Sequence, residues 1–490
     1  MKKNVKQFLC LFLALFAITG VSCGVNERSV DEETTAAAAV TTAVDAVDEG
    51  MKYPSEIANY DGYEFRILNV IDDMWDTSIQ ILDLEEESGE SISSAIYKRK
   101  RKVEEEMGIK ISVVKKDDIF KLVNHLNISV SAGEDAYDAA YVCTQSYSAA
   151  KDSVYNLYDI NTINLNEVWW DPSYSESMSI DGKLYGGMEY CNFWGQIFIA
   201  FIPFNRGMMN DLNLDLPYNL VENGEWTYDK MYEYMVPVVT LNSEDSFKPT
   251  LNDTCVYGLI SNHNEAGLTL FQGSGQSLVV KDKNGMPAFV ENQDTFITAY
   301  DKLCKIFSED GFYDLINTAE LIGTDIFWNG RAMFSEDSIG CLLGGVARES
   351  EVEYGVLPMP KYSEAQENYF TPISQYGMVV TIPKTNNDAE RTGAILDYMS
   401  FCGYTDVYPV VSEMLCYKGL RDDESIKMID IIYSTKFADI GFLWGWTTGI
   451  LNSLADGVYT SKANVTSLVE SQATSIKTVI EKYIDEETKQ

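Results

Sequence analysis

The constraint that most narrows the fold is an alternation of strand and helix between residues 63 and 142. Tyr63–Val70 (YEFRILNV) alternates and is rich in strand formers; residues 109–114 and 137–142 repeat that character. Between them, Ser91–Met107 reads as a helix with Ile92, Ala95, Ile96 and Val103 on one face, and residues 119–131 read as a second helix. Strand-helix-strand-helix-strand at this spacing predicts a parallel, doubly wound α/β sheet. In such sheets a ligand sits beyond the carboxyl ends of the strands, which here are residues 71–75 and 143–147.

The middle of the chain repeats the theme. Residues 198–204 form a predicted crossing strand followed by a short helix from Arg206, and Thr227 is a candidate N-cap for the next helix. Strands at 257–260 and 288–290 alternate with helices at 265–271 and 296–307. Strand patterns return at 331–334, 354–357 and 376–382, and from Asp388 the chain reads as mostly helical. Single cores stop growing at about 250–300 residues, so the stretch from Tyr53 to Gln490 is expected to form two lobes.

Charge removes one class of partner. The first 22 residues carry three lysines and no acid, so without them the formal net charge moves from −38 to −41. Such a surface repels phosphate backbones, which excludes nucleic-acid binding. The basic run Lys98-Arg99-Lys100-Arg101-Lys102 reads as a solvated helix face, neutralised by Glu104, Glu105 and Glu106 four residues on. Beyond Cys10 and Cys23, seven widely spaced cysteines remain, most in apolar surroundings, and they read as buried free thiols. No Cys/His cluster has zinc spacing, and no cofactor or metal is expected. The two histidines, His125 and His263, read as solvent-facing, and neither stands beside a nucleophile elbow, so no catalytic residue is assigned.

The amino terminus carries an address. Lys2, Lys3 and Lys6 precede an apolar run, residues 8–18, that is too short to span a bilayer, and Gly20-Val21-Ser22-Cys23 follows with small residues. Residues 1–22 are expected to be a signal peptide and Cys23 a lipidated first residue. Ordinary signal-peptidase cleavage also fits, because Gly20 stands where a lipobox has leucine. Residues 23–52, rich in Thr, Ala and acids and without an aromatic before Tyr53, read as a flexible tether.

A series of short blocks gives a resemblance. They include Tyr60-Asp61-Gly62-Tyr63-Glu64-Phe65, Ala132-Gly133-Glu134-Asp135-Ala136-Tyr137-Asp138, Trp169-Trp170-Asp171-Pro172, Gly224-Glu225-Trp226-Thr227, Gly330-Arg331-Ala332-Met333-Phe334 and Leu357-Pro358-Met359-Pro360-Lys361. In their order and spacing the chain resembles the extracellular solute-binding lipoproteins of ABC importers with the type 2 periplasmic-binding fold, of the sugar-binding type. One departure is Ser93-Ser94-Ala95, where an Asn-Asp pair is common. The resemblance implies two α/β lobes joined by crossing strands and closing over a solute, with residues 53–200 and about 331–385 in lobe 1, and about 201–330 and 386–490 in lobe 2. It also implies a monomer on the outer face of the cell membrane, or secreted or periplasmic if not lipidated. Its partners would be a mono- or oligosaccharide and the permease subunits of an ABC transporter.

A pyranose stacks its C–H face on aromatic rings and pairs its hydroxyls with amides and carboxylates. The candidate ligand-binding residues are therefore aromatic and polar groups facing the cleft: Asp72, Asp73 and Trp75, and Thr144, Gln145 and Ser146, at strand ends; Asn192 and Trp194 before the first crossing; Gln375 and Tyr376 before the late strand; and Trp444 and Trp446 in a glycine-rich segment of the kind that forms cleft loops. Asp72 and Asp73 also suit a turn. Trp75, Trp194, Trp444 and Trp446 suit cleft and core equally, whereas Trp169, Trp170, Trp226 and Trp328 are expected in the core. Two other classes compete: a cell-surface glycoside hydrolase, which needs two carboxylates about 5–10 Å apart, and a non-catalytic adhesin or scaffold.

Overall fold

Two β-sheets organise the chain, each built on parallel strands with antiparallel strands on the outside. The computed structural model describes residues 50–73, 78–262, 266–318, 321–420, 422–460 and 464–487. The N-terminal address, the expected tether up to residue 49, Trp75 and His263 lie outside them.

In the first sheet β1 (Tyr63–Val70) lies between β2 (Ile109–Lys116) and β3 (Ala139–Cys143), all parallel, and Met378–Thr381 runs antiparallel beside β3. All five residues of β3 are buried, as expected of a strand covered on both faces. The expected helix at Ser91–Met107 is present over that range. Glu90 caps it, its carboxylate accepting from the Ile92 and Ser93 N–H groups at 3.0 and 2.6 Å. Gly108 ends it in the left-handed region at φ 58°, where a Cβ would strike the Asn59 side chain.

The basic run on this helix is only in part the solvated face its spacing predicted: Lys98 and Arg101 are exposed, and Arg101 lies 3.5 Å from Glu104. Arg99 is buried and donates to the Cys191 carbonyl at 2.5 Å. Lys100, also buried, lies 3.2 Å from Glu85 and 3.7 Å from Glu104, and Lys102 pairs with Asp406 at 2.9 Å. Helices and loops distant in sequence cover this face, and the long aliphatic stems allow the charges to reach partners at its edges.

The second sheet has the order Ala200–Asn205, Ala332–Phe334, Tyr257–Asn262, Tyr313–Thr318, with Tyr354–Leu357 on the outer side of Ala200–Asn205. Two expected boundaries change. The strands at 332–334 and 354–357, expected in lobe 1, pair here, with Phe334 between Leu259 and Phe204. Conversely, Ala389–Cys402, expected in lobe 2, packs on the first: Asp397 accepts from the Trp169 and Trp170 indoles at 3.2 and 2.7 Å, and Tyr398 donates to Glu106. The chain is back on lobe 2 from Asp422, which pairs with Arg206 at 2.8 Å and is followed by Ser425, whose hydroxyl lies 2.9 Å from Tyr218. It stays there after Ile440, where Gly441 abuts Val279 and the Tyr300 hydroxyl donates to the Leu454 carbonyl at 2.9 Å. Short apolar strands carry no local signal for which sheet they enter.

Three segments, the crossings, lie side by side at the junction of the lobes. Ile199 bridges Ile373, and Thr371–Pro372 pairs with Lys436–Phe437 in parallel. A buried ion pair fastens them: the Lys436 ammonium contacts Asp171 and donates to Gln196 Oε1 at 3.1 Å, while Asp171 caps the helix Pro172–Met178. Burial acts to raise the Asp171 carboxyl, but the Lys436 charge outweighs it and holds the group below the ordinary carboxylate range. The stability Asp171 contributes is therefore complete above about pH 4 and lost as pH falls through its lower folded value. Lys436→Met, which strands the carboxylate, is expected to cost about 3–5 kcal/mol in urea unfolding at pH 7; a loss under 1 kcal/mol would show that the pair is not a structural fastener.

Candidate ligand-binding cleft

The carboxyl end of β3 is stitched to the second crossing. The Thr144 N–H donates to the Gly377 carbonyl and its hydroxyl to the Ser374 carbonyl, each at 2.8 Å, and the Gln145 N–H donates to the Gln375 carbonyl at 3.0 Å. The Trp194 indole N–H donates to the Tyr376 carbonyl at 2.9 Å, and its ring stacks on Phe198 with centroids 4.8 Å apart. Thr144, Gln145, Trp194, Gln375 and Tyr376, far apart in sequence, thus meet at the pivot between the lobes.

The second lobe supplies the opposite wall. Thr269 and Gln272 from the helix Ala266–Gln272, Glu336 and Ser338 beyond the strand Ala332–Phe334, and Phe442 face Phe198, Gln375 and Tyr376 across a cavity of ≈ 30 Å³. Glu336 is held by Ser261, whose hydroxyl donates to its carbonyl at 2.6 Å and lies 3.3 Å from its carboxylate. Strand alternation turns Glu336 and Ser338 into the cavity, whereas Asp337 is not among its lining residues. Burial pushes the Asp337 carboxyl up to about 6, although the Ser338 N–H donates to it at 2.7 Å.

The other candidates fall elsewhere. Asn192 is buried behind Trp194: its Oδ1 accepts from the Trp194 N–H at 3.0 Å, and its own N–H donates to Glu189 at 3.1 Å. Glu189 also accepts from Tyr141 at 2.6 Å and Ser400 at 2.9 Å, so this loop is anchored from beneath. Trp444 is 3% exposed, wedged edge-on against Tyr147 and Tyr483 and stacked on the half-buried Trp446 at 5.3 Å. Phe442, two residues earlier, takes the place at the cavity. Asp72 pairs with Lys115 at 2.7 Å and edges a separate groove with Glu90, Ser93 and Arg348; Asp73 is exposed and Ser146 half-buried. Trp169, Trp170, Trp226 and Trp328 are buried in the core.

Sequence reasoning missed Phe198, Gln272, Glu336, Ser338 and Phe442. The strand-end rule applied to Ala332–Phe334 points to Glu336, but nothing local marks Gln272. Burial pushes the Cys143 thiol behind this wall up to about 12, which leaves it an inert packing group. His125 is half-buried rather than fully solvent-facing. Among the described residues, no group of three His, Cys, Asp or Glu is placed to hold a metal, and no helix is long and apolar enough to cross a membrane.

Because Asp337 ionises less readily in the fold than in the unfolded chain, its burial lowers stability as pH rises from about 4 to about 6. Asp337→Asn is expected to raise stability at pH 7.5 by about 1–2 kcal/mol, allowing for residual contact with water, and to leave it nearly unchanged at pH 4. Urea titrations at the two pH values check this; equal effects at both would refute the burial account.

No protein-family model matches the sequence, and none of the curated proteins does. Solved structures do match. A cyclo/maltodextrin-binding protein complexed with maltotetraose superposes with a TM-score of 0.56 at 13% identity, covering 86% of this chain and 98% of that one. The GacH receptor of Streptomyces glaucescens, solved unliganded and with acarbose, gives 0.56 at 11% identity over 86% and 99%. An ABC substrate-binding protein from Listeria monocytogenes in complex with cycloalternan gives 0.56 at 13% over 86% and 100%. At these identities the likeness establishes the fold: two α/β lobes of the type 2 periplasmic-binding kind, with a helical C-terminal part.

Proposed function

We propose that this chain is an extracellular receptor that captures a carbohydrate-like solute between its lobes and delivers it to the permease of an ABC importer, without chemistry of its own. The observation that carries the reading is the composition of the cleft at the pivot. Phe198, Tyr376 and Phe442 offer ring faces, and Gln272, Glu336 and Gln375 offer hydroxyl partners, from both lobes at once. That mixture suits a pyranose, with an apolar C–H face and a rim of hydroxyls. Proteins of this fold solved with maltotetraose, acarbose and cycloalternan support the same ligand class.

A cavity of ≈ 30 Å³ has room for water but not for a sugar ring. Solute entry therefore requires the lobes to part about the crossings at Ile199, Ile373 and Phe437 and to close again on the ligand. A melting-shift screen against mono- and oligosaccharides is expected to yield at least one stabilising sugar, recovered unchanged. Tyr376→Ala is expected to weaken its binding by about tenfold or more in titration calorimetry. No shift with any sugar, or release of a cleaved product, would overturn the receptor reading.

The receptor is further proposed to be held at the outer face of the membrane through a lipid on Cys23, which keeps it at high effective concentration near its permease. Cys23→Ala is expected to move the protein from the membrane fraction to the medium or periplasm with ligand binding intact; membrane retention of that variant would rule the anchor out.

A further inference from the structure

The helix Val465–Glu487 is carried by the second lobe for most of its length. Val469, Ile476 and Ile480 are buried, and Lys477 lies 2.7 Å from Glu291 and over the Phe289 ring. Its end is held by the first lobe. The Glu487 carboxylate, 1% exposed, accepts from Lys151 Nζ at 3.2 Å, Lys183 Nζ at 2.5 Å and the Tyr185 hydroxyl at 3.2 Å. These three residues sit on loops fixed to the first sheet, since Gly187 bridges Val380 and the Lys384 N–H donates to the Ser153 carbonyl at 2.9 Å.

Two further links cross at the same side. Trp444, whose segment is seated on the second lobe through Gly441 and Val279, packs edge-on against Tyr147 and Tyr185 of the first, with Tyr483 of the helix closing the cluster. Lys281, on the hairpin Val279–Lys281 to Pro287–Phe289, donates to the Ser179 carbonyl at 3.3 Å. The Glu487 and Lys281 contacts join one lobe to the other outside the crossings, and a rotation about the crossings that carries Glu487 away from Lys151 and Lys183 must break them.

We propose that the end of this helix is a clasp that holds the lobes together in the absence of any solute, with Glu487 as its catch. Drawing the carboxylate out removes the one buried counter-charge that Lys151 and Lys183 share and leaves Lys151 only the exposed Asp152 at 2.9 Å, so the closed arrangement has a bias that does not depend on ligand contacts. The resting balance between open and closed, and the rate at which the cleft admits a solute, then depend on Glu487, which does not line the cleft.

Small-angle scattering of the purified chain without sugar tests the clasp, and the result does not depend on whether the solute is a carbohydrate. Glu487→Ala and the double variant Lys151→Ala/Lys183→Ala are each expected to shift the closed-to-open ratio toward open by at least about tenfold, seen as a larger radius of gyration and maximum dimension. Glu487→Gln, which keeps hydrogen bonding but loses charge, should fall between. Scattering curves superposable on wild type, from variants that still melt cooperatively, would overturn the proposal. Should Glu487→Ala fail to fold, the lysine pair, with side chains 14% and 23% exposed, decides the matter.

Discussion

The buried pair between Asp171 and Lys436 is the contact on which the two-lobe arrangement depends. Lys436 comes from the third crossing, Asp171 from the cap of a first-lobe helix, and Gln196 from the turn leading into the first crossing. One ammonium thereby gathers three segments that are remote in sequence. A charge left alone at this depth is costly, so the crossings have few alternative registers, and the junction between the lobes is fixed in place. With the pivot set, the carboxyl end of β3 can bond the backbone of Ser374, Gln375 and Gly377, and the cleft wall follows.

That order of dependence explains the division of labour within the site. In the first lobe Thr144 and Gln145 commit their backbones to the junction without lining the cavity, and the backbone they bond carries Gln375 and Tyr376, which do line it. The second contributes side chains at the ends of its own elements, such as Gln272 and Glu336. Asn192 and Glu189 support the wall from beneath without reaching the cavity. The C-terminal helix acts at a distance from both walls, joining the lobes by charge and aromatic packing at Glu487 and Trp444.

How much of this was legible beforehand depended on whether the signal was local. The helix at Ser91–Met107, the cap at Thr227 and the strand at Tyr63–Val70 follow from periodicity and capping, which involve neighbours within a few residues. Thr144 and Gln145 stand where the end of a parallel strand is expected, but the cavity is lined by Gln375 and Tyr376, which precede the antiparallel strand Met378–Thr381. Trp444 misled: a glycine-rich loop reads as an exposed cleft segment, but Tyr147, Tyr185 and Tyr483 arrive from three other parts of the chain to bury it. Arg99 and Lys100 likewise read as solvated until partners distant in sequence cover them.

The sequence by itself determined the alternation of strand and helix and a strongly acidic charge balance; each is a property of composition or short-range order. Only the tertiary structure decided that the strands at 332–334 and 354–357 belong to the second sheet and that Ala389–Cys402 returns to the first lobe. It also decided that Phe442 rather than Trp444 meets the cleft. Those outcomes depend on which apolar and charged surfaces meet across hundreds of residues. Such pairings are set by burial and partner geometry, which no local window of sequence contains.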